Sequence, residues 1–458
     1  MGDTSPTFDT STSAPAEKTA SHAVAYAEED RFVPPADENA PRGEADEPAG
    51  HAGGKVGRSI PALPNELVDC IVSHLPSDNK HQLALCCRVS RTFLASARPR
   101  LYHTLELQLA VRPAYFTQEY SLTPLPSTWT LYQTLLRHRS FTKLVKKLSL
   151  EPAVYGKVNL TSMWMDFMEG TDDKDRPPQH LVDQWFQDLD INLLLKLCSN
   201  LEVLLWAPVD AFGEGWREYA YITRCLDGVE FPTLRSLSLA VISQTITSIA
   251  PNLAVLDVLL NVDDDAFLVP THSDHTPCLD TLVFGEPYSE VPVRVHEIFT
   301  WLTGRSNNTL RVLDTFWHKD FHPSTRIFTN LTSLSIDLIV GWNIPYIWSM
   351  PTFLASLKSF PTSLRELTIT DCGYHPASER NNLSETFLVC LPSGLQHLTF
   401  SASLFGPAVW PAFVSAKQEY MPNVEDLRLM EYSQHAEAQV DLQALGQKQG
   451  LIVTFSSG

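Results

Sequence analysis

Three clusters in this chain carry the residue types that chemistry uses. His318, Asp320 and His322 lie close enough along the chain for one loop to bring two imidazoles and a carboxylate together, as a divalent-metal site would require. His272-Ser273-Asp274-His275 lines up a hydroxyl, bases and an acid. Nucleophilic catalysis needs such groups in a spatial triad, and adjacency along the chain does not supply one. Asp263-Asp264-Asp265 offers carboxylates without the spaced oxygens of a calcium loop. We read all three as turn chemistry between larger elements. No Walker loop, GxGxxG, GxSxG or HExxH occurs. The expectation is a chain without catalytic residues, cofactor or metal.

The elements that would position such groups are bounded by composition. A chain of 458 residues with 44% hydrophobic content has room for two or three domains and a sizeable core. A formal charge of −19 argues against general nucleic-acid binding, because no Lys/Arg stripe offsets phosphate repulsion, and against an anionic membrane surface. The start, MGDTSPTFDT, has no apolar core of a signal peptide, and Pro6 stands where myristoylation wants Ser or Thr. No apolar run reaches the roughly 18 residues of a membrane span. The eight cysteines are scattered, with no CxxC and only Cys86-Cys87 adjacent, which fits a reduced cytoplasmic or nuclear chain. The sequons at Asn159, Asn330 and Asn382 would then meet no glycosylation machinery. Residues 1–58 are rich in Ala, Pro, Gly, Ser, Thr, Asp and Glu and hold few large apolar groups. Such an acidic tail cannot bury enough surface to offset its chain entropy and is expected to be disordered.

From Ile60 to Leu107 the pattern changes to three short amphipathic helices. Pro64 suits a first helical turn, and Glu66 lies where the helix dipole favours an anion. Leu67, Ile71 and Leu75 fall at i, i+4 and i+8 on one face, with Val68 and Val72 as a second stripe beside them. Pro76 ends the helix. Leu83, Cys86 and Cys87 mark a second helix; Ser90 caps a third that holds Phe93, Leu94 and Ala97 and ends at Pro99. A unit this small carries more apolar surface than it can bury internally, which points to a partner.

The ordered series Leu63-Pro64-x-Glu66-Leu67, Ile71, Leu75, Cys87-x-Val89-Ser90-Arg91-x-Phe93, Ala97-Arg98-Pro99 and Leu101-Tyr102 resembles an F-box, most closely the fungal kind. It covers residues 59–107, about a tenth of the chain. The resemblance implies docking onto the Skp adaptor, and through it onto the cullin, of a ubiquitin ligase. It assigns Leu63, Pro64, Leu67, Ile71, Leu75, Val89 and Phe93 to the adaptor contact or to holding the facing helices.

Residues 108–458 contain a repeat. The element apolar-x-x-apolar-x-apolar starts at Leu201, Leu234, Leu253, Leu279, Leu310, Leu331, Leu364, Leu395 and Val424, with a first copy at Val145. Successive starts from Leu201 lie roughly 19 to 33 residues apart, the range of leucine-rich repeats and slightly beyond. In LRELTI, Leu367 and Ile369 point one way and Glu366 and Thr368 the other, so parallel stacking buries a Leu ladder and leaves the alternates on one face. Return segments read as helices where Val295, Ile298, Phe299 and Leu302 share a face, where Phe387, Leu388 and Leu391 follow Ser384, and across 408–420. LIVTF from Leu451 reads as a closing strand. The Asn or Cys of the repeat consensus is met by Asn261 and Cys372 and mostly not elsewhere, and a segment at 156–176 with Trp164, Phe167, Asp172 and Asp173 breaks the period. These repeats resemble the divergent leucine-rich kind found behind fungal F-boxes.

The expected fold is therefore α/β: a tail, a three-helix F-box, and an irregular solenoid with parallel strands on a concave face and helices or loops outside. Such a face presents an extended surface for a partner. Asp257, Asp314, Glu366, Thr368, His397, Asp426 and Arg428 stand among its outward alternates. Arg428 is the only Arg or Lys there, so a phosphodegron reader, which needs an Arg cluster, fits poorly, whereas a mildly basic protein target fits. By resemblance the chain is a non-catalytic substrate receptor of a Skp-cullin-F-box ligase that serves ubiquitin-dependent degradation. The alternative is a repeat scaffold, adaptor-bound or free-standing, that delivers nothing for ubiquitination.

Overall fold

A computed structural model describes residues 63–112, 121–154, 190–206, 222, 224–239, 246–259, 276–285, 295–317, 321, 323–338, 356–371, 387, 389–402, 409–430 and 436–456. The tail 1–58, the 156–176 segment, Asp263–Asp265, His272–His275, His318, Asp320, His322, Asn261, Cys372, Ser384 and Leu388 lie outside the described residues. Everything described falls within one compact unit, Leu63–Gly458.

Three helices open it: α1 (Asn65–Ser73), α2 (Lys80–Val89) and α3 (Arg91–His103). Pro64 sits one residue before α1, with extended ψ of 144°, and its carbonyl accepts from the N–H groups of Leu67 and Val68 at 3.1 and 3.2 Å. Asn79 caps α2 by accepting from the Gln82 N–H at 3.1 Å, and Ser90 caps α3 by accepting from the Phe93 N–H at 3.3 Å. The sequence expectation that Pro99 ends α3 is overturned: the helix continues to His103. Proline removes one helical hydrogen bond, but the next turn is anchored from outside. The Arg100 guanidinium donates to the carbonyls of Val72 and Leu75, the latter at 2.9 Å, and Lys80 Nζ donates to the Leu101 carbonyl at 3.3 Å.

The chain then enters β1 (Thr104–Arg112), β2 (Ser121–Pro124), α4 (Pro126–Arg137), α5 (Arg139–Thr142) and β3 (Lys147–Val154). After α6 (Ile191–Leu197) come β4 (Val203–Trp206), β5 (Ser236–Leu239), α7 (Ile246–Ile249), β6 (Val255–Leu259), β7 (Thr281–Gly285) and α8 (Val295–Thr303). They are followed by β8 (Val312–Trp317), β9 (Ser333–Leu338), β10 (Glu366–Asp371), β11 (His397–Ser401), α9 (Val409–Ser415) and α10 (Lys417–Tyr420). The last elements are β12 (Asp426–Met430), α11 (Ala436–Lys448) and β13 (Ile452–Ser456). The fold is mixed α/β, a single open sheet that runs β13 to β3 in unbroken chain order and continues through β1 to β2. β1 and β3 to β13 are all parallel; β2 joins β1 antiparallel. Twelve strands thus make a parallel, solenoid-like stack that closes no barrel.

Every apolar-x-x-apolar-x-apolar copy becomes a strand in matching register. The second Leu of each copy forms one buried ladder from Leu148 to Leu427, extended by Leu105 on β1 and Val453 on β13. Beyond this ladder buried aromatics gather: Phe284 stacks at 5.9 Å on Phe316, where β8 loses its alternation because Thr315, Phe316 and Trp317 are all buried, and meets Phe299 of α8 edge-on at 5.5 Å; Phe400 meets Phe413 of α9 at 5.7 Å. Helices α8 and α9 therefore cover this side, and Val295, Ile298, Phe299 and Leu302 are all buried there. The alternate residues form the open face.

A ladder of side chains stitches consecutive turns. At most motifs the residue just before the first apolar position is polar, and its side chain donates to a carbonyl of the preceding copy; Gly394 has no side chain to do so, and Cys278 donates to the following copy instead. Asn252 reaches Pro232, Asn330 reaches Asn308 and Asn423 reaches Ser393, at 2.8, 2.7 and 2.8 Å. Thr233, Thr309 and Ser363 do the same with hydroxyls, to Leu201, Leu279 and Leu331 at 2.8, 2.7 and 2.7 Å. These bonds satisfy turn carbonyls that no strand reaches.

Candidate functional site

Two surfaces collect the predicted site residues. The first is the outer side of α1 and α2. The two apolar stripes of α1 have separate fates: Val68 and Val72 are fully buried with Leu83 and Ala97, whereas Leu63 and Leu67 are each 50% exposed and Ile71 is 45% exposed. On α2, Val89 is 66% exposed, and Leu85, one helical turn earlier, is 47% exposed. Pro64 is also exposed, at the start of α1. Leu75 and Phe93 are half-buried against the Val68–Ala97 cluster and hold the helices together. Sequence reasoning missed Leu85. Its i, i+4 relation to Val89 is the signal visible in the sequence.

The third helix of this unit runs straight into the sheet. No residue separates α3 from β1, since His103 is followed directly by Thr104. Tyr102 packs on Phe141 of α5 with ring centroids 4.7 Å apart, and the Arg98 guanidinium lies 4.9 Å over the same ring. Burial pushes the Tyr102 hydroxyl and the Cys87 thiol above their ordinary pKa ranges, the positive Arg98 opposing both.

The second surface is the open face of the sheet. Glu366, His397 and Asp426 stand side by side on β10, β11 and β12. Asp257, Val283, Asp314, Ser335, Thr368, Thr399 and Arg428 form the neighbouring row from β6 to β12. The Ser238 hydroxyl donates to the Asp257 carboxylate at 2.9 Å. Arg428 Nε donates to the Ser456 hydroxyl at 3.2 Å. One carboxylate oxygen of Asp426 is buried without a hydrogen-bond partner. The face also contains a residue the sequence reading passed over. Asp337 is the third alternate of β9, after Ser333 and Ser335, one position beyond the apolar-x-x-apolar-x-apolar motif. Burial first, then the charge of Asp314, pushes its pKa up to about 6. Burial likewise raises Asp314, against a hydrogen bond from Ser335 and with the charge of Asp257 adding to the rise.

Among the described residues no group of three or more His, Cys, Asp or Glu has metal-binding proximity, and no helix is long and apolar enough to cross a membrane. The seven described cysteines are free thiols, and burial pushes Cys198 up to about 12. No protein-family model matches the chain, and no curated protein matches it either.

Proposed function

We propose that this chain is the substrate-recognition subunit of a Skp-cullin-F-box ubiquitin ligase. Its helical unit is the F-box that docks on the Skp adaptor, the sheet is a divergent leucine-rich-repeat array that holds a protein target, residues 1–58 are a disordered acidic tail, and the chain works in the cytoplasm or nucleus. The observation that carries the reading is the set of solvent-facing apolar side chains Leu67 and Ile71 on α1, Leu63 just before it, and Leu85 and Val89 on α2. Burying the exposed half of each such side chain contributes on the order of 1 kcal/mol, so five of them match the anchor of a stable interface. The second support is the linkerless α3–β1 junction with its Arg98–Phe141–Tyr102 stack. A receptor accelerates ubiquitin transfer by holding target lysines near the charged conjugating enzyme, and a fixed junction keeps that effective concentration high. No side chain of the receptor takes part in the transfer.

Co-expression with a Skp adaptor followed by pull-down tests this. The wild-type chain is expected to hold the adaptor, and Leu67→Ala/Ile71→Ala to lose it while keeping an unchanged thermal transition. A chain that captures no adaptor in either form overturns the reading. Stable capture without turnover of any bound target would make the protein an adaptor-bound scaffold.

A further inference from the structure

We propose that the open face of β6 to β9 docks an extended cationic segment of the target, with Asp257 and Asp314 accepting Lys or Arg side chains three residues apart on that segment. For its biological use this rests on the receptor reading above, and it names the target class.

The spacing follows from the register. Asp257 lies opposite Val283, and Val283 opposite Asp314, so the two acids sit two strands apart in one row. Adjacent strands are about 4.8 Å apart, which separates the acids by about 9.6 Å. A polyproline-type segment returns to the same side every three residues, after about 9.3 Å. A fully extended strand returns after two residues, at about 6.8 Å, and does not fit. A segment laid across the strands in the polyproline conformation thus brings every third side chain over an acid.

The rest of the strip suits such a guest. Val255, Val283 and Val312 are half-buried and give its backbone and neighbouring residues an apolar floor. Hydroxyls aim the acids: Ser238 donates to Asp257 and Ser335 to Asp314, leaving the remaining lone pairs for a cation. No Lys or Arg stands on the open face between β5 and β11 among the described residues, so the protein supplies no internal counter-ion there. Burial raises both Asp314 and Asp337. A surface that disfavours bare carboxylates strengthens attraction to an incoming cation, because the local dielectric is lower than that of water.

The test uses the full chain without adaptor, so its outcome is separate from that of the receptor reading. The probes are fluorescein-labelled Ala/Pro peptides carrying two lysines three residues apart, two residues apart or adjacent, read by fluorescence anisotropy. The three-residue spacing is expected to bind tightest. Asp257→Asn and Asp314→Asn are each expected to weaken it about fivefold, as loss of a partly buried ion pair does. Glu106→Gln/Glu151→Gln removes the same kind of charge from exposed positions on β1 and β3 and is expected to leave binding unchanged. Equal affinity at every spacing, equal weakening by the Glu106/Glu151 pair, or no binding of the three-spaced peptide would each overturn the proposal. Unchanged far-UV circular dichroism of the variants confirms that binding, not folding, is being read.

Discussion

In the helical unit of residues 63–103, four apolar side chains are fully buried while five large ones from Leu63 to Val89 stand in solvent. In the sheet from β3 to β13 the proportion reverses: one continuous core runs its whole length, and its exposed large apolar groups, such as Ile327 and Val389, are scattered singly. Scattered apolar groups are normal on any surface, whereas a stripe on one helix implies a missing mate. The contrast teaches that the same amphipathic arithmetic gives two outcomes. A repeat supplies its own partner in the next copy. A three-helix unit has no next copy, so part of its apolar surface stays open.

The most forceful way to probe the contrast is to cut the sheet core. Leu334 lies in the ladder between Leu313 and Leu367 and is 1% exposed. Leu334→Ala should cost about 3 kcal/mol, through lost burial and the cavity left behind, and lower the thermal midpoint markedly. Gly394→Ala comes next. Gly394 occupies the stitching position before its motif, and a Cβ there would lie 2.9 Å from the Thr362 carbonyl oxygen and 2.5 Å from the Arg365 guanidinium. The guanidinium can swing aside but the carbonyl is backbone, so a loss of about 1–2 kcal/mol is expected in denaturant melts.

Asp337 produces a smaller, pH-dependent effect. Its folded pKa is raised from 3.8 to about 6, so the native state binds this proton more tightly than the unfolded chain. Its contribution is fully present below the unfolded value and is lost as pH rises from about 4 through about 6. Asp337→Asn should flatten that part of the stability profile and stabilise the protein by about 1 kcal/mol at neutral pH, after allowance for solvent screening. Thermal melts across that pH range would show a wild type and variant that converge in acid. The smallest effect on stability belongs to the helical stripe: Leu67→Ala/Ile71→Ala should change unfolding by less than about 0.5 kcal/mol. A larger loss would mean that these side chains are already covered, and the contrast between the two regions would fail.

Much of the sheet was legible because its period is short and its consequence local. Each apolar-x-x-apolar-x-apolar copy read from Val145 to Val424 is a strand, and the closing strand at Leu451 is there too. β1 escaped because its copy opens with an aromatic, Tyr102-x-x-Leu105-x-Leu107, although its register against β3 is the same as that of every other copy. It also runs across residue 107, where the sequence reading turned from helices to repeats. The asparagine-bearing turns that enter the copies are described, and the amides of Asn252, Asn330 and Asn423 reach back to the preceding turn; the consensus position after the strand, at Asn261 and Cys372, lies outside the described residues. In α1 both stripes were visible, but nothing local distinguishes Val68 and Val72 from Leu67 and Ile71. Only the packing of α3 decides which is covered. Pro99 shows the same limit, since the bonds from Arg100 that carry α3 past it come from residues more than twenty positions away.

The stitched turns have a consequence for how this molecule tolerates change. Each stitch ties the residue before a motif to the preceding copy, and it makes no demand on the number of residues between them. Copies of 19 and of 33 residues dock with identical register. Lengthening a connecting segment costs only a slowly growing loop entropy. Shifting a stitch by one residue would move an entire strand's side chains to the opposite side. New sequence can thus accumulate between strands while the spacing from stitch to strand stays fixed.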